Sequence, residues 1–385
     1  MNAAERTSWI TARARAIGFD LCGVASISAA SSDNDSWPEL ARRAEWLARG
    51  FAGEMRYLYD PRRESPQRVM SGARSVIVCA VNYNTAQPYS TEFSAAESRE
   101  ESPRGWISRY AWGTDYHESI GAKLEALVAA MRAQFPEPFE AKWYVDTGPI
   151  HERIAAQRAG LGTVGKHTLL IHPELGSWIF LCVILTTLEL TPSLDLATSL
   201  DDSASAHSGS SAQMPATDVC GQCTLCIDAC PTGAIVEPYV LDARLCISYL
   251  TIELRGAIPE NLRTQMGRQV FGCDICQDVC PWNREAPITK EEVFASRENL
   301  LAPDLEWIAS LTEEEFREVF RASPIKRAKW RGLIRNACVA LGNSNVRRDS
   351  LAHERVTKLL ARLAESSDAL IAEHARWALK KLNRI

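Results

Sequence analysis

The sequence predicts an α+β protein of several domains: a mixed helix–strand body, a cysteine-dense module and an all-helical tail. Three observations carry this. Up to residue 190, short apolar runs alternate with stretches of helical periodicity. Eight of the twelve cysteines fall between residues 220 and 280. From residue 300 onward the apolar residues keep helical spacing.

In the body, apolar runs bounded by turn residues predict strands at 19–25, 75–81, 143–145, 168–171 and 178–185. Helices are expected near 4–17, 39–49, 116–132 and 150–159. The body is therefore bounded at 1–190. Residues 191–218 lack Lys, Arg and aromatics and are rich in Ser, Ala, Thr and Asp, the composition of a flexible linker or surface loop. The cysteine module spans 219–290, and the helical tail spans 300–385. In the tail, RGLIRNACVALGN and EHARWALKKL resemble the helical hairpins of HEAT-like repeats.

The 385 residues are 46% hydrophobic and 24% charged, ordinary for a soluble globular protein. The most apolar stretch, SWIFLCVILTT at 177–187, is too short to span a bilayer and reads as a buried strand. The N-terminus reads as a polar amphipathic helix without the apolar core of a secretory signal. A cytoplasmic protein with no membrane partner is expected. A disulfide scaffold suits short secreted chains. Cys22, Cys79, Cys182 and Cys338 stand singly in apolar segments and read as core residues. Net charge is −5, but residues 321–385 hold 15 Lys and Arg against 5 Asp and Glu. A basic tail on an acidic body suits an anionic macromolecular partner, though solvated basic helix faces give the same count.

The module carries the chemistry. Cys220-x2-Cys223-x2-Cys226-x3-Cys230-Pro231 is the bacterial ferredoxin run, in which the fourth cysteine ligates the other cluster. Cys273-x2-Cys276-x3-Cys280-Pro281 follows, one cysteine short, and Cys246 can supply it. By crossover, one [4Fe-4S] cluster takes Cys220, Cys223, Cys226 and Cys280, and a second takes Cys230, Cys246, Cys273 and Cys276. Zinc also uses C-x2-C pairs, but it does not explain two runs that each end in Cys-Pro.

The module, with GEMRYL, GARSVIVCAVNY, ISRYAWGTDYH, VDTGPIHERIAAQRAGLGTVGKHTLLI and GSWIFL, closely resembles the epoxyqueuosine reductases from about residue 5 to the C-terminus. The resemblance implies a nitroreductase-like α/β domain that binds base-off cobalamin. It also implies a ferredoxin-like two-cluster domain that feeds this cofactor electrons from an external donor, and a helical HEAT-like domain that grips tRNA. The implied reaction removes the epoxide oxygen of epoxyqueuosine at the tRNA wobble position, giving queuosine. Asp146 matches the family's proton donor, although an Asp before Thr-Gly-Pro is also a common turn former. Arg109, Tyr110, Lys166 and His167 match stretches that line the cobalamin pocket, and Asp146 and Ser177 are expected to border it. His167 is expected to be a structural histidine rather than a cobalt ligand. The glycines of GLGTVG (160–165) lack the setting of a dinucleotide loop and suit a tight turn or close approach to the corrin.

The densest basic set of the tail is Lys326, Arg327, Lys329, Arg331 and Arg335, with Arg347 and Arg348 further on. These are the expected phosphate contacts of a tRNA. The chain is expected to act as a monomer. Two rival functions share parts of this pattern: a cobalamin-dependent reductive dehalogenase, and an accessory electron-transfer or tRNA-binding protein without chemistry of its own.

Overall fold

The protein is described by a computed structural model covering residues 1–27, 37–96, 102–195 and 218–383. The linker expected over 191–218 therefore lies, at 196–217, outside the described residues. Its first residues are anchored, since the Val24 amide donates to Ser193 Oγ at 2.9 Å.

Four strands form the central sheet: β1 (Leu21–Ser26), β2 (Ser75–Asn82), β3 (Ala141–Val145) and β4 (Ile179–Thr186). Their order is β1-β2-β4-β3, with every pair antiparallel. All eight positions of β2 are buried, because helices cover both faces. On one face α1 (Ala3–Ile17) and α2 (Tyr116–Gln134) bury Ile10, Leu124, Leu127 and Met131 against Ile77, Cys79 and Cys182. On the other face α3 (Glu152–Arg158) buries Ala155 and Ala156 against Val76, Val78 and Val183. The strand expected at 168–171 shrinks to Leu170–Ile171, which pairs with Thr163–Val164 outside the sheet. The reason is local: Gly160 has φ +75°, and a Cβ on Gly162 would meet the Ile171 carbonyl oxygen at 2.5 Å. Those glycines serve a tight ribbon.

Cys22, Cys79 and Cys182 lie opposite one another across three strands, and all are buried, as is Cys338. The same row continues to Val145, the last residue of β3. Asp146 follows it directly, at the end of the sheet.

The tail is built on α4 (Lys329–Gly342), with α5 (Leu351–Ala364) and α6 (Ala369–Leu382) packed in sequence. A Cβ on Gly342 would meet Ala378 Cα at 2.8 Å, so α4 and α6 cross at close range there. Residues 332–342 of α4 are all buried. One face joins Trp106, Ile107 and Phe271 in a single apolar core, and Val339 packs with Ile247 and Leu250. The cysteine module and the tail therefore share a core.

A buried polar pair secures that junction. Arg335 is wholly buried and donates to the carbonyls of Leu250 (2.6 Å), Leu254 (2.9 Å) and Gly256 (2.7 Å). Asn336 Nδ2 donates to Thr251 O and Val270 O, both at 2.8 Å. Expected as a tRNA contact, Arg335 is instead a structural residue. Replacing it with Ala leaves one buried and two partly buried carbonyls without that donor and should cost about 3 kcal/mol or more. Arg331, exposed and paired with Asp368, should cost under about 1 kcal/mol on the same change. Denaturant midpoints of the two variants check this; equal midpoints would contradict the role given to Arg335.

Candidate functional site

A cavity opens at the end of the sheet where β3 stops and β4 begins. Its volume is about 150 Å³, and it is partly open to solvent. Leu169, Leu170, Ile179, Phe180 and Leu181 give it an apolar wall, while Asp146, Glu152, Arg153, Tyr83, Ser177 and Gln277 bring polar groups.

Asp146 leaves β3 with φ +57°, a left-handed turn that an Asp tolerates better than most residues. Its Oδ2 accepts from the Tyr116 hydroxyl at 3.0 Å. Its amide donates to Glu152 Oε1 at 2.9 Å. Tyr116 is held in turn by stacking on Phe180, ring centroids 4.1 Å apart. Burial, then the Asp146 charge, push the Tyr116 hydroxyl well above its ordinary pKa, so it stays a donor. Burial also pushes Glu152 up to about 8, with the neighbouring Asp146 adding to the effect. Arg63 fastens the same loop through the carbonyls of Gly148 (3.0 Å) and Ile150 (3.4 Å).

The cysteine module closes the cavity. Gln277, one residue beyond Cys276, donates to Ser177 O at 3.0 Å and Oγ at 3.1 Å. Asn283 donates to Ser177 Oγ at 2.9 Å and accepts from the Ser177 amide at 2.7 Å. The Arg153 guanidinium lies within electrostatic reach of both Asp146 and Cys276.

The thiols lie within electrostatic reach of one another. Cys280, pushed up to about 11 chiefly by burial, feels the thiols of Cys220, Cys226 and Cys223. Cys276, likewise raised by burial, feels Cys246, Cys226 and Cys230, and Cys273 feels Cys276 and Cys246. Cys226 and Cys276 are thus neighbours. Two short helices, Leu225–Asp228 and Ile275–Asp278, pack on each other and present them.

Of the residues expected around the cofactor, Asp146 and Ser177 line the cavity. Tyr110 stands behind Tyr116, ring centroids 6.2 Å apart. Arg109 does not reach it. Its guanidinium is buried among Tyr89, Trp112 and Trp178 and donates to the carbonyls of Thr85 (2.6 Å), Gln87 (2.9 Å) and Pro88 (3.1 Å). Lys166 turns to the first cysteine run, where Nζ donates to Gly221 O at 2.6 Å and Cys223 O at 3.1 Å. Its amide donates to Cys220 Sγ at 3.4 Å. His167 is buried and accepts from the Leu169 amide at 3.1 Å, and burial lowers its pKa to about 4. Arg109, Lys166 and His167 are therefore framework groups. Glu152, Arg153, Tyr83, Tyr116 and Gln277 are the cavity residues that motif reading did not single out. Glu152 and Arg153 stand in the same VDTGPIHER segment as Asp146.

In the tail, Lys326 pairs with Asp115 at 2.6 Å, Arg327 with Glu253 and Arg331 with Asp368. Burial works against ionised Asp115, but His117 and Lys326 outweigh it and hold the carboxyl below its usual range. Lys329 is exposed at the start of α4. Arg327 lies over the ring of Tyr57, 5.7 Å from its centroid, and Tyr57 also feels Asp146. Arg327, on the basic edge of the tail, thus sits beside Tyr57, and Tyr57 and Tyr59 are about half exposed.

A paired-thiol module beside a cavity with its own acids defines an iron–sulfur oxidoreductase, and a model for a 4Fe-4S double cluster binding domain matches residues 219–283. A second model, described as epoxyqueuosine reductase QueG, DUF1730, matches residues 63–147. The chain is 41% identical to an epoxyqueuosine reductase of Gloeobacter violaceus over 91% of its own length and 99% of that protein. It is 37% identical to the Escherichia coli epoxyqueuosine reductase over 94% of this chain and 86% of that one. A crystal structure of an epoxyqueuosine reductase with an epoxyqueuosine-modified tRNA-Tyr stem loop superposes with TM-score 0.81 at 26% identity, covering 99% of this chain and 91% of that chain. The chain belongs to the epoxyqueuosine reductase family. Among the described residues no helix is long and apolar enough to cross a membrane.

Proposed function

We propose that the chain removes the epoxide oxygen of epoxyqueuosine at the wobble position of a tRNA, giving queuosine, in the cavity beside Asp146. One observation carries this reading: the cavity wall joins a carboxyl-bearing loop to Gln277, the neighbour of Cys276. A proton source and the edge of an iron–sulfur module thus border one space. The ligand sets that follow from the cysteine spacing are Cys220, Cys223, Cys226 and Cys280 for one cluster, and Cys230, Cys246, Cys273 and Cys276 for the other. When bound, the clusters supply one-electron transfer from an external donor.

The donor set fits cobalamin, the group the family implies, held base-off. The apolar side chains of the wall suit the face of a corrin, and Ser177, Gln277 and Arg153 suit its amide fringe. When bound there, cobalamin supplies a strongly reducing cobalt centre. The protein's own work is positioning and proton supply. Asp146, aimed by Tyr116 and by its own turn, delivers a proton to the departing oxygen.

The tRNA reading rests on the basic edge of the tail and on the half-exposed Tyr57 beneath Arg327. A relative has been crystallised with a modified stem loop, and anticodon-loop bases are read unstacked, often on aromatic rings. Lys326, Arg327, Lys329 and Arg331 are the proposed phosphate contacts of an enzyme proposed to act in the cytoplasm as a monomer. Lys329→Ala should weaken stem-loop binding a few-fold and reduce the salt dependence by about one ion. Tyr57→Ala should cost about 1–3 kcal/mol of binding with little change in salt slope. Fluorescence titrations at several salt concentrations separate the two effects; equal slopes for wild type and Lys329→Ala would remove Lys329 from the interface. The function itself is tested in bacteria lacking their own epoxyqueuosine reductase. Expression of this chain should restore queuosine to tRNA, and persistent epoxyqueuosine beside abundant folded protein would overturn the proposal.

A further inference from the structure

The reaction proposed above sets a proton count that a single acid does not meet. Turning an epoxide into an alkene breaks both carbon–oxygen bonds, forms one carbon–carbon double bond and releases water. It consumes two electrons, which the reductase activity supplies, and two protons. Asp146 carries one. We propose that Glu152 is the second proton-holding group of the site, keeping Asp146 in position and returning a proton to it within each turnover. This rests on the functional reading above.

Geometry carries the argument. Glu152 opens α3 and lines the same cavity as Asp146. Its Oε1 accepts the Asp146 amide at 2.9 Å, which pins the left-handed turn that presents the Asp146 carboxyl. One Glu152 oxygen is thus used for holding, and the other is left to carry a proton. The charged and titratable groups facing Glu152 are Asp146 on the loop, Arg153 beside it, Arg63 from the 56–64 segment and Tyr116 from α2. Burial and Asp146 favour its neutral form, whereas the Asp146 amide, Arg153 and Arg63 favour the ionised one. The balance lies near 8, so Glu152 holds its proton at pH 7 and loses it as the pH rises through 8.

Glu152→Gln keeps an oxygen for the Asp146 amide but cannot ionise. In the reconstituted enzyme this variant should bind the modified stem loop as wild type does, turn over at least tenfold slower at pH 7, and lose the decline in kcat that wild type shows through about pH 8. Glu152→Asp, which keeps the ionisable group, should recover part of the rate and a shifted decline. Infrared difference spectra between pH 6 and pH 10 give a readout that needs no turnover. A protonated carboxyl band titrating near pH 8 should be present in wild type and missing in Glu152→Gln. A Glu152→Gln enzyme with wild-type kcat, or a slowed one that keeps the wild-type alkaline decline, would overturn the proposal. So would identical infrared titrations. Failure of wild type to form queuosine would count against the functional reading alone, because the infrared comparison still decides whether Glu152 holds the proton.

Discussion

Asp146→Asn should fold, take up both clusters and cobalamin, and bind the stem loop, yet turn over about 10²- to 10⁴-fold slower than wild type, the usual range for loss of a general acid. The expectation follows from how little the substitution disturbs. Asparagine tolerates the left-handed turn at this position. Its side-chain oxygen can still accept the Tyr116 hydroxyl, and its amide can still reach Glu152. Only the transferable proton is gone. Iron analysis, the cobalamin absorption spectrum and stem-loop affinity should all match wild type, so the lost rate cannot be blamed on assembly. A variant of near wild-type rate would remove Asp146 from the chemistry and leave it as a turn former.

The second large effect concerns the clusters, and double substitutions read out the pairing. Cys276→Ala and Cys280→Ala should each lower bound iron from about eight to about four per chain and abolish turnover. Cys280 groups with Cys220, Cys223 and Cys226, so Cys220→Ala added to Cys280→Ala should leave iron near four. Cys276 belongs to the other set, so Cys276→Ala with Cys280→Ala should leave almost none. If each run of cysteines held its own cluster, the two double variants would give the opposite result. Anaerobic reconstitution followed by iron and sulfide analysis distinguishes the cases.

The cysteine spacing was legible because Cys220, Cys223 and Cys226 lie within seven residues and Cys273 and Cys276 within four, where number in sequence and position in space nearly coincide. The central sheet was legible for a similar reason. β2 and β4 are continuous apolar runs, the pattern of strands covered on both faces. Arg335 stands apart from its expected role because composition counts a charge without its surroundings, and Arg109 because a matched motif does not show which way its side chain turns. Arg335 stands in a basic tail, yet α4 threads between two cores and places its guanidinium on three backbone carbonyls. Lys166 follows a glycine-rich segment that suggested a cofactor wall, but the contact that captures it comes from Gly221 and Cys223, some 55 residues along the chain. The core that joins Trp106, Phe271 and Leu333 is equally non-local, so the boundaries drawn from composition do not reveal that the module and the tail are packed as one. Glu152 stood within the motif that contains Asp146. Its part depends on a turn that folds the chain back on itself, and spacing alone does not encode that turn.

The central claim is that this cavity deoxygenates epoxyqueuosine, and nucleoside mass spectrometry tests it most directly. Purified protein, reconstituted anaerobically with iron, sulfide and cobalamin and given a strong reductant, is incubated with a stem loop carrying epoxyqueuosine. The account predicts loss of one oxygen atom to give queuosine, dependent on added cobalamin. Unchanged epoxyqueuosine, from protein in which both clusters and cobalamin are bound, would contradict it.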